Sequence, residues 1–152
     1  FSKSLSLPGE RLGYVLVPKQ VTDADAVYAA TAGAGRSQGY VNAPSLFQRV
    51  AAECCDLTAD ISVYERNCAL LTDALREIGY QVVQPGGAFY LFPRSLEPDD
   101  MAFSERAKKF DLLLVPGSGF GAPGHFRIAY CVQTEMIERA LSRFKALADS
   151  YQ

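Results

Sequence analysis

The sequence predicts an α+β fold: a small sheet covered by helices, preceded by a strand and a helix that cannot close a core by themselves. Three observations predict it. Tyr64, Cys68, Leu71, Leu75 and Ile78 recur at helical spacing and are followed by Gly79 as a stop. Ile137, Ala140, Leu141, Phe144 and Leu147 form a second helical stripe. Between these helices, short apolar runs are broken by prolines and glycines, as strands are at turns.

The elements follow in order. Leu12-Gly-Tyr-Val-Leu-Val17 is a β-rich run stopped by Pro18, and it predicts a buried strand. Thr22 or Asp23 can cap a helix over 23–35, broken up by Gly33, Gly35 and Gly39. A second helix is expected from Pro44 to Cys55, with proline at its first position. The helix over 64–79 comes next. Strands are predicted over 80–83 and 88–92, with Pro85-Gly86-Gly87 turning between them. Asp99 or Asp100 starts a short charged helix ending near Phe110. Strands over 112–115 and 126–132 flank a glycine-rich loop, and Thr134 is expected to cap the last helix.

There are no internal repeats and no low-complexity tract. The order of elements divides the chain near residue 40. Residues 1–40 read as the tail of another domain, and 41–152 as a small α+β domain. A chain that opens on Phe1 rather than methionine reads as a processed product or a piece of a longer protein.

Composition narrows the function classes. With 49% hydrophobic residues, 152 residues can bury a real core. A net charge of −2 gives no electrostatic reason to expect nucleic acid or an anionic membrane. No apolar stretch reaches the roughly 20 residues of a spanning helix. Cys54, Cys55, Cys68 and Cys131 form no CxxC pair, and His125 is the single histidine, so neither a disulfide framework nor a metal site is expected. Apolar neighbours suggest mostly buried thiols in a reducing compartment.

Four blocks can carry chemistry. In Ser2-Lys3-Ser4-Leu5-Ser6-Leu7-Pro8-Gly9-Glu10-Arg11, a lysine amine can form a Schiff base and an arginine can grip a phosphate. Taken alone, these are an exposed terminal lysine and a surface arginine. In Tyr40-Val41-Asn42-Ala43-Pro44, Asn42 can cap the following helix. Pro85-Gly86-Gly87-Ala88-Phe89-Tyr90-Leu91-Phe92 is a turn feeding a buried strand. In Val115-Pro116-Gly117-Ser118-Gly119-Phe120-Gly121, followed by Gly124-His125-Phe126-Arg127-Ile128, the prolines argue against a dinucleotide fingerprint.

Together the four blocks resemble class I/II pyridoxal-phosphate-dependent aminotransferases of fold type I, aspartate-aminotransferase-like, along essentially the whole chain. The matching patterns are S-K-x-x-x-x-P-G-x-R-x-G, Asn-x-Pro, G-A-F-Y and V-P-G-x-x-F-G with R-I behind it. The resemblance implies the small C-terminal aminotransferase domain, within the α/β family, plus the last strand and helix of the large cofactor-binding domain. It implies pyridoxal 5′-phosphate as cofactor. Lys3 would be the catalytic lysine that holds it, and Arg11 would bind its phosphate with Ser2 nearby. Arg127 would pair with the substrate α-carboxylate, with Asn42 and Phe89 lining the substrate site and His125 flanking its entrance. It further implies amino-acid and 2-keto-acid substrates, a homodimer in the full-length enzyme, and a cytoplasmic location.

Two departures from the family pattern matter. The arginine that aspartate-type members carry five residues before the asparagine is Ser37 here, with Arg36 one step away. The family's pyridine-nitrogen aspartate, ring-hydroxyl tyrosine and stacking aromatic would all lie upstream of Phe1, so this polypeptide alone is expected to be inactive. A carbon–sulfur β-lyase and an aminotransferase-like effector domain of a transcription regulator are the competing readings, because one fold and cofactor serve several reactions.

Overall fold

The computed structural model describes residues 1–87 and 89–152. The chain packs as two units, Phe1–Asp60 and Ile61–Gln152.

The first unit holds two helices, α1 (Ala24–Ser37) and α2 (Ser45–Cys54). Gly33 and Gly35 do not break α1, contrary to the sequence expectation. An interior glycine costs a helix only about 1 kcal/mol, and the alanines around these two favour the helix. At Gly35 a Cβ would sit 3.2 Å from the Tyr40 carbonyl oxygen. The missing side chain lets Tyr40 fold back and donate its N–H to the Gly35 carbonyl at 2.9 Å. The turn itself uses Gly39 at φ +84. Neither Thr22 nor Asp23 caps α1: Asp23 occupies the cap position at φ 58 without a side-chain hydrogen bond.

The strand expected over residues 12–17 does not form. The segment pairs with no strand, leaving Tyr14, Val15 and Leu16 at 79%, 72% and 75% exposure. A β-rich run needs a neighbouring strand to satisfy its backbone, and the described part of this unit contains none. Only Leu12 of the run is buried.

The second unit contains α3 (Ser62–Ile78), β1 (Tyr90–Leu91), α4 (Asp100–Lys108), β2 (Val115–Pro116), a 3₁₀ turn over Gly117–Phe120, β3 (Phe126–Ala129) and α5 (Thr134–Asp149). The strands form one antiparallel sheet in the order β1-β3-β2. This is the predicted α+β arrangement, with shorter strands. Side-chain hydrogen bonds accompany two of the differences. Over 80–83, Arg94 donates its N–H to the Gln81 carbonyl at 3.0 Å, and Arg76 donates from Nε and Nη2 to the Val82 carbonyl at 3.2 and 3.0 Å. Beyond Ala129, the Asn67 amide takes the carbonyls of Tyr130 and Val132 at 3.0 and 2.8 Å. Leu112 is tied instead to the end of α4, its N–H donating to the Ala107 carbonyl. Of the strand expected over 88–92, Ala88 lies outside the described residues.

The helix signals read well. Gly79 ends α3 in the left-handed region at φ 109. Asp99 caps α4, its carboxylate accepting from the N–H groups of Met101 and Ala102 at 3.0 Å each. Thr134 is a correction. It is the first residue of α5 rather than its cap, and its hydroxyl donates to Asn67 Oδ1 at 2.8 Å.

The core of this unit lies between α3, α4, α5 and one face of the sheet. Leu75, Leu91, Phe103, Phe126, Phe144 and Leu147 are fully buried there. Each such side chain contributes roughly 1.5–3 kcal/mol by leaving water. The Tyr80 ring packs edge-on to Phe126 and Phe144 at 6.0 and 5.9 Å between centroids. Of the four cysteines only Cys68 is buried, while Cys55 and Cys131 are exposed. The expectation of mostly buried thiols is therefore corrected. Cys55 terminates an amphipathic helix and Cys131 follows a strand end, so an apolar sequence context did not mean an apolar environment.

Candidate active site

The sheet register positions the central arginine. In β3, Phe126 and Ile128 alternate with Arg127 and Ala129. Leu91 pairs with Ile128, and Leu91 and Phe126 are both fully buried, so that face is the core face. Arg127 and Ala129 occupy the opposite face. Tyr90, directly across from Ala129, shares it and is diagonal to Arg127. The Arg127 Cζ lies over the Tyr90 ring at 4.5 Å and over the Phe120 ring at 4.3 Å. Among the described residues, no carboxylate forms an ion pair with it.

Phe120 reaches Arg127 from a tightly fixed loop. Gly117 donates its N–H to the His125 carbonyl at 2.7 Å. A Cβ at Gly117 would lie 2.3 Å from the Ala122 carbonyl oxygen and 2.7 Å from that of His125, so only glycine fits. Gly121 closes the turn at φ 73. Ser118 anchors it to α4: its N–H donates to Asp100 Oδ2 at 2.6 Å and its hydroxyl to Oδ1 at 2.7 Å. The Ser118 hydroxyl bond, helped by backbone N–H donors and opposed by burial, holds the Asp100 carboxyl below the usual carboxylate range.

The remaining aromatic residues extend this cluster. Phe92 meets Phe120 edge-on at 6.1 Å and stacks with His125 at 6.1 Å. His125 Nδ1 lies 3.1 Å from the Pro123 carbonyl. Phe89 is half-buried and packs on Tyr64 and Tyr90 at 6.5 and 4.6 Å. An open groove of about 1040 Å³ is lined by Arg76, Arg94, Glu97 and His125 among others, but Arg127 is not in its wall.

In the first unit, Ser2, Lys3 and Arg11 share one closed loop. The Phe1 amino group donates to the Leu12 carbonyl at 2.8 Å, and the Ser6 N–H donates to the Lys3 carbonyl at 3.2 Å. Ala59 braces the loop by donating its N–H to the Ser4 carbonyl at 3.0 Å. Arg11 sits in the left-handed region at φ 52, with Nη1 donating to the Pro8 carbonyl. Lys3 and Arg11 are exposed, and Ser2 is half-buried.

Asn42 is exposed in the coil before α2 and caps nothing, because Pro44 takes the cap position with no side-chain bond. Gln48 braces this coil instead, donating from Nε2 to the Ala43 carbonyl at 2.7 Å. Ser37, at the position of the missing arginine, turns its hydroxyl onto the Gly33 carbonyl of its own helix.

Sequence reasoning singled out Arg127 and missed its partners Tyr90 and Phe120 and the Asp100 anchor. Tyr90 and Phe120 lay inside quoted motifs, but only the strand register and the loop path bring them to the guanidinium.

The comparisons with known proteins agree with this architecture. The family Aminotransferase class I and II matches residues 1–144, and the chain belongs to it. A crystal structure of an amino transferase from Eubacterium rectale superposes at TM-score 0.92 with 52% identity, covering 99% of this chain and 38% of that one. Aspartate aminotransferase from Thermotoga maritima superposes at 0.84 with 28% identity, over 98% of this chain and 38% of that one. Aspartate aminotransferase from Geobacillus stearothermophilus is 32% identical over 93% of this chain and 38% of its own length. The chain thus spans well under half the length of these relatives.

Proposed function

We propose that this chain is the C-terminal part of a pyridoxal-phosphate-dependent aminotransferase that moves an amino group between an amino acid and a 2-keto acid. In this reading residues 1–40 close the large cofactor-binding domain and 41–152 form the small domain. The observation that carries it is Arg127: a guanidinium held by two rings, with no described carboxylate to neutralise it. Its planar fork suits a substrate α-carboxylate.

The residues also fit the cofactor. Pyridoxal 5′-phosphate offers a carbonyl and a phosphate, and the closed loop offers an amine and a guanidinium. Arg11 has five N–H donors and gives one to Pro8, so others are left for a phosphate. Lys3 Nζ would hold the cofactor, with Ser2 beside it. When bound, the cofactor supplies the electron sink that weakens the substrate's Cα–H bond. Arg127 would orient the substrate, with Asn42 and Phe89 bordering it. The freed Lys3 amine would then take the α-proton from the substrate and pass it to the cofactor's C4′ carbon.

The relatives reported above are aminotransferases by name, which favours amino transfer over the lyase and regulator readings. Among the described residues no helix is long and apolar enough to cross a membrane. The reading includes a cytoplasmic homodimer in which the Asn42 segment approaches the partner's site.

Replacing Lys3 with alanine in the full-length protein tests it. Transamination and the visible absorbance of lysine-bound cofactor should both disappear, and retention of both would refute the assignment. The 152-residue polypeptide alone should not exceed free cofactor in turnover.

A further inference from the structure

We infer that Tyr90 and Phe120 are positioning residues that hold the Arg127 guanidinium ready for a planar carboxylate. The inference rests on the reading of Arg127 as the carboxylate's partner and adds how that partner is kept available.

An arginine on a sheet face has several rotatable bonds and must be fixed before it can bind in one orientation. The usual device is a neighbouring carboxylate, but that acceptor would occupy the N–H fork and have to be displaced by substrate. Here the fixing groups are aromatic faces at 4.5 and 4.3 Å from Cζ. A ring face attracts the cation through its quadrupole without using its in-plane donors. Arg127 is therefore oriented with its hydrogen-bonding edge left for a ligand.

Both rings arrive by rigid routes. Tyr90 comes from the strand register. Phe120 comes from the loop that Asp100 grips through Ser118, and the Phe92 ring backs it edge-on. Phe120 itself is 50% exposed, more than a core-packing role requires.

The test uses the full-length holoenzyme and the variants F120L and Y90L, which remove the π face but keep an apolar side chain, with F120Y and Y90F as conservative partners. Binding of 3-phenylpropionate, an unreactive carboxylate, is measured by calorimetry beside KM and kcat for an amino acid. Each leucine variant should raise Kd and KM by about three- to tenfold, the range of a partly exposed cation–π contact. The value of kcat should stay within about twofold, since orientation of the bound ground state is what is lost. F120Y and Y90F should bind like the parent. In an R127Q background the leucine changes should add nothing. Unchanged Kd in F120L and Y90L, or equal weakening with and without Arg127, would overturn the inference. If R127Q itself left Kd unchanged, the reading of Arg127 would fail instead. Should Y90L not fold, half-exposed Phe120 decides the matter alone.

Discussion

The Asp100 carboxylate grips Ser118 twice, through the backbone N–H at 2.6 Å and through the hydroxyl at 2.7 Å. This joins the first turn of α4 to the loop that carries Phe120. The hydrogen bond from the Ser118 hydroxyl keeps the carboxyl's folded pKa below its ordinary value of 3.8. A depressed folded pKa stabilises the native state above the unfolded value, and that contribution is lost as pH falls through the folded one. Thermal melts of the parent and of Asp100→Asn should therefore differ most above about pH 4. The gap should narrow steadily in stronger acid. A gap independent of pH would show that the charge plays no part.

Asn67 should be the most sensitive polar position in the second unit. Fully buried, it donates to two carbonyls and accepts from the Thr134 hydroxyl, joining α3 to the exit of β3 and the start of α5. Asn67→Ala leaves both carbonyls unsatisfied and should cost about 2–4 kcal/mol in urea unfolding. Asn67→Asp should also destabilise, because a carboxylate cannot donate to carbonyls.

Thr72 should respond in the opposite direction. Its buried hydroxyl has no hydrogen-bond partner among the described residues. Valine keeps the shape and removes the unpaired group, so Thr72→Val should stabilise by about 1 kcal/mol, read as a higher urea midpoint. A lower midpoint would mean that the hydroxyl has a bonding role.

Sequence periodicity revealed much of this fold. The stripes at 64–78 and 137–147 marked α3 and α5 because a helix repeats its buried face over several turns. The strands were harder, since two- to four-residue ladders have no period to detect. Tyr80–Val83 forms no named strand, and the Val82 carbonyl accepts from the Arg76 side chain six residues earlier, a contact that alternation of residue types does not reveal. The run 12–17 was misread because apolar β-branched residues look the same whether or not a partner strand is present. The site divides similarly. Arg127 stood out by resemblance, whereas its contact with Tyr90 depends on register, which pairs Tyr90 with Ala129.

Alkaline titration should reveal late-ionising tyrosines. Burial first, then a hydrogen bond with Cys68, pushes Tyr130 up to about 12. Burial first, then its bond to Glu97, pushes Tyr151 up to about 12. An ordinary phenol ionises near 10. Phenolate absorbance should thus still be rising near pH 12, and Tyr151→Phe should shrink that late rise. With raised folded pKa values, these tyrosines contribute fully below about pH 10 and lose that contribution as pH climbs through 12. Melting temperature should fall across that interval.

Helix α5 has a consequence for synthesis. Phe144, Leu147 and Ala148 close a core whose first wall is built by Cys68, Leu71 and Leu75. A ribosome releases those early side chains long before their covering layer exists. The second unit must therefore wait, with α3 and the sheet exposed, until α5 has been synthesised. A stop codon just before Phe144 would leave that nascent domain without its lid and a ready target for quality-control proteases.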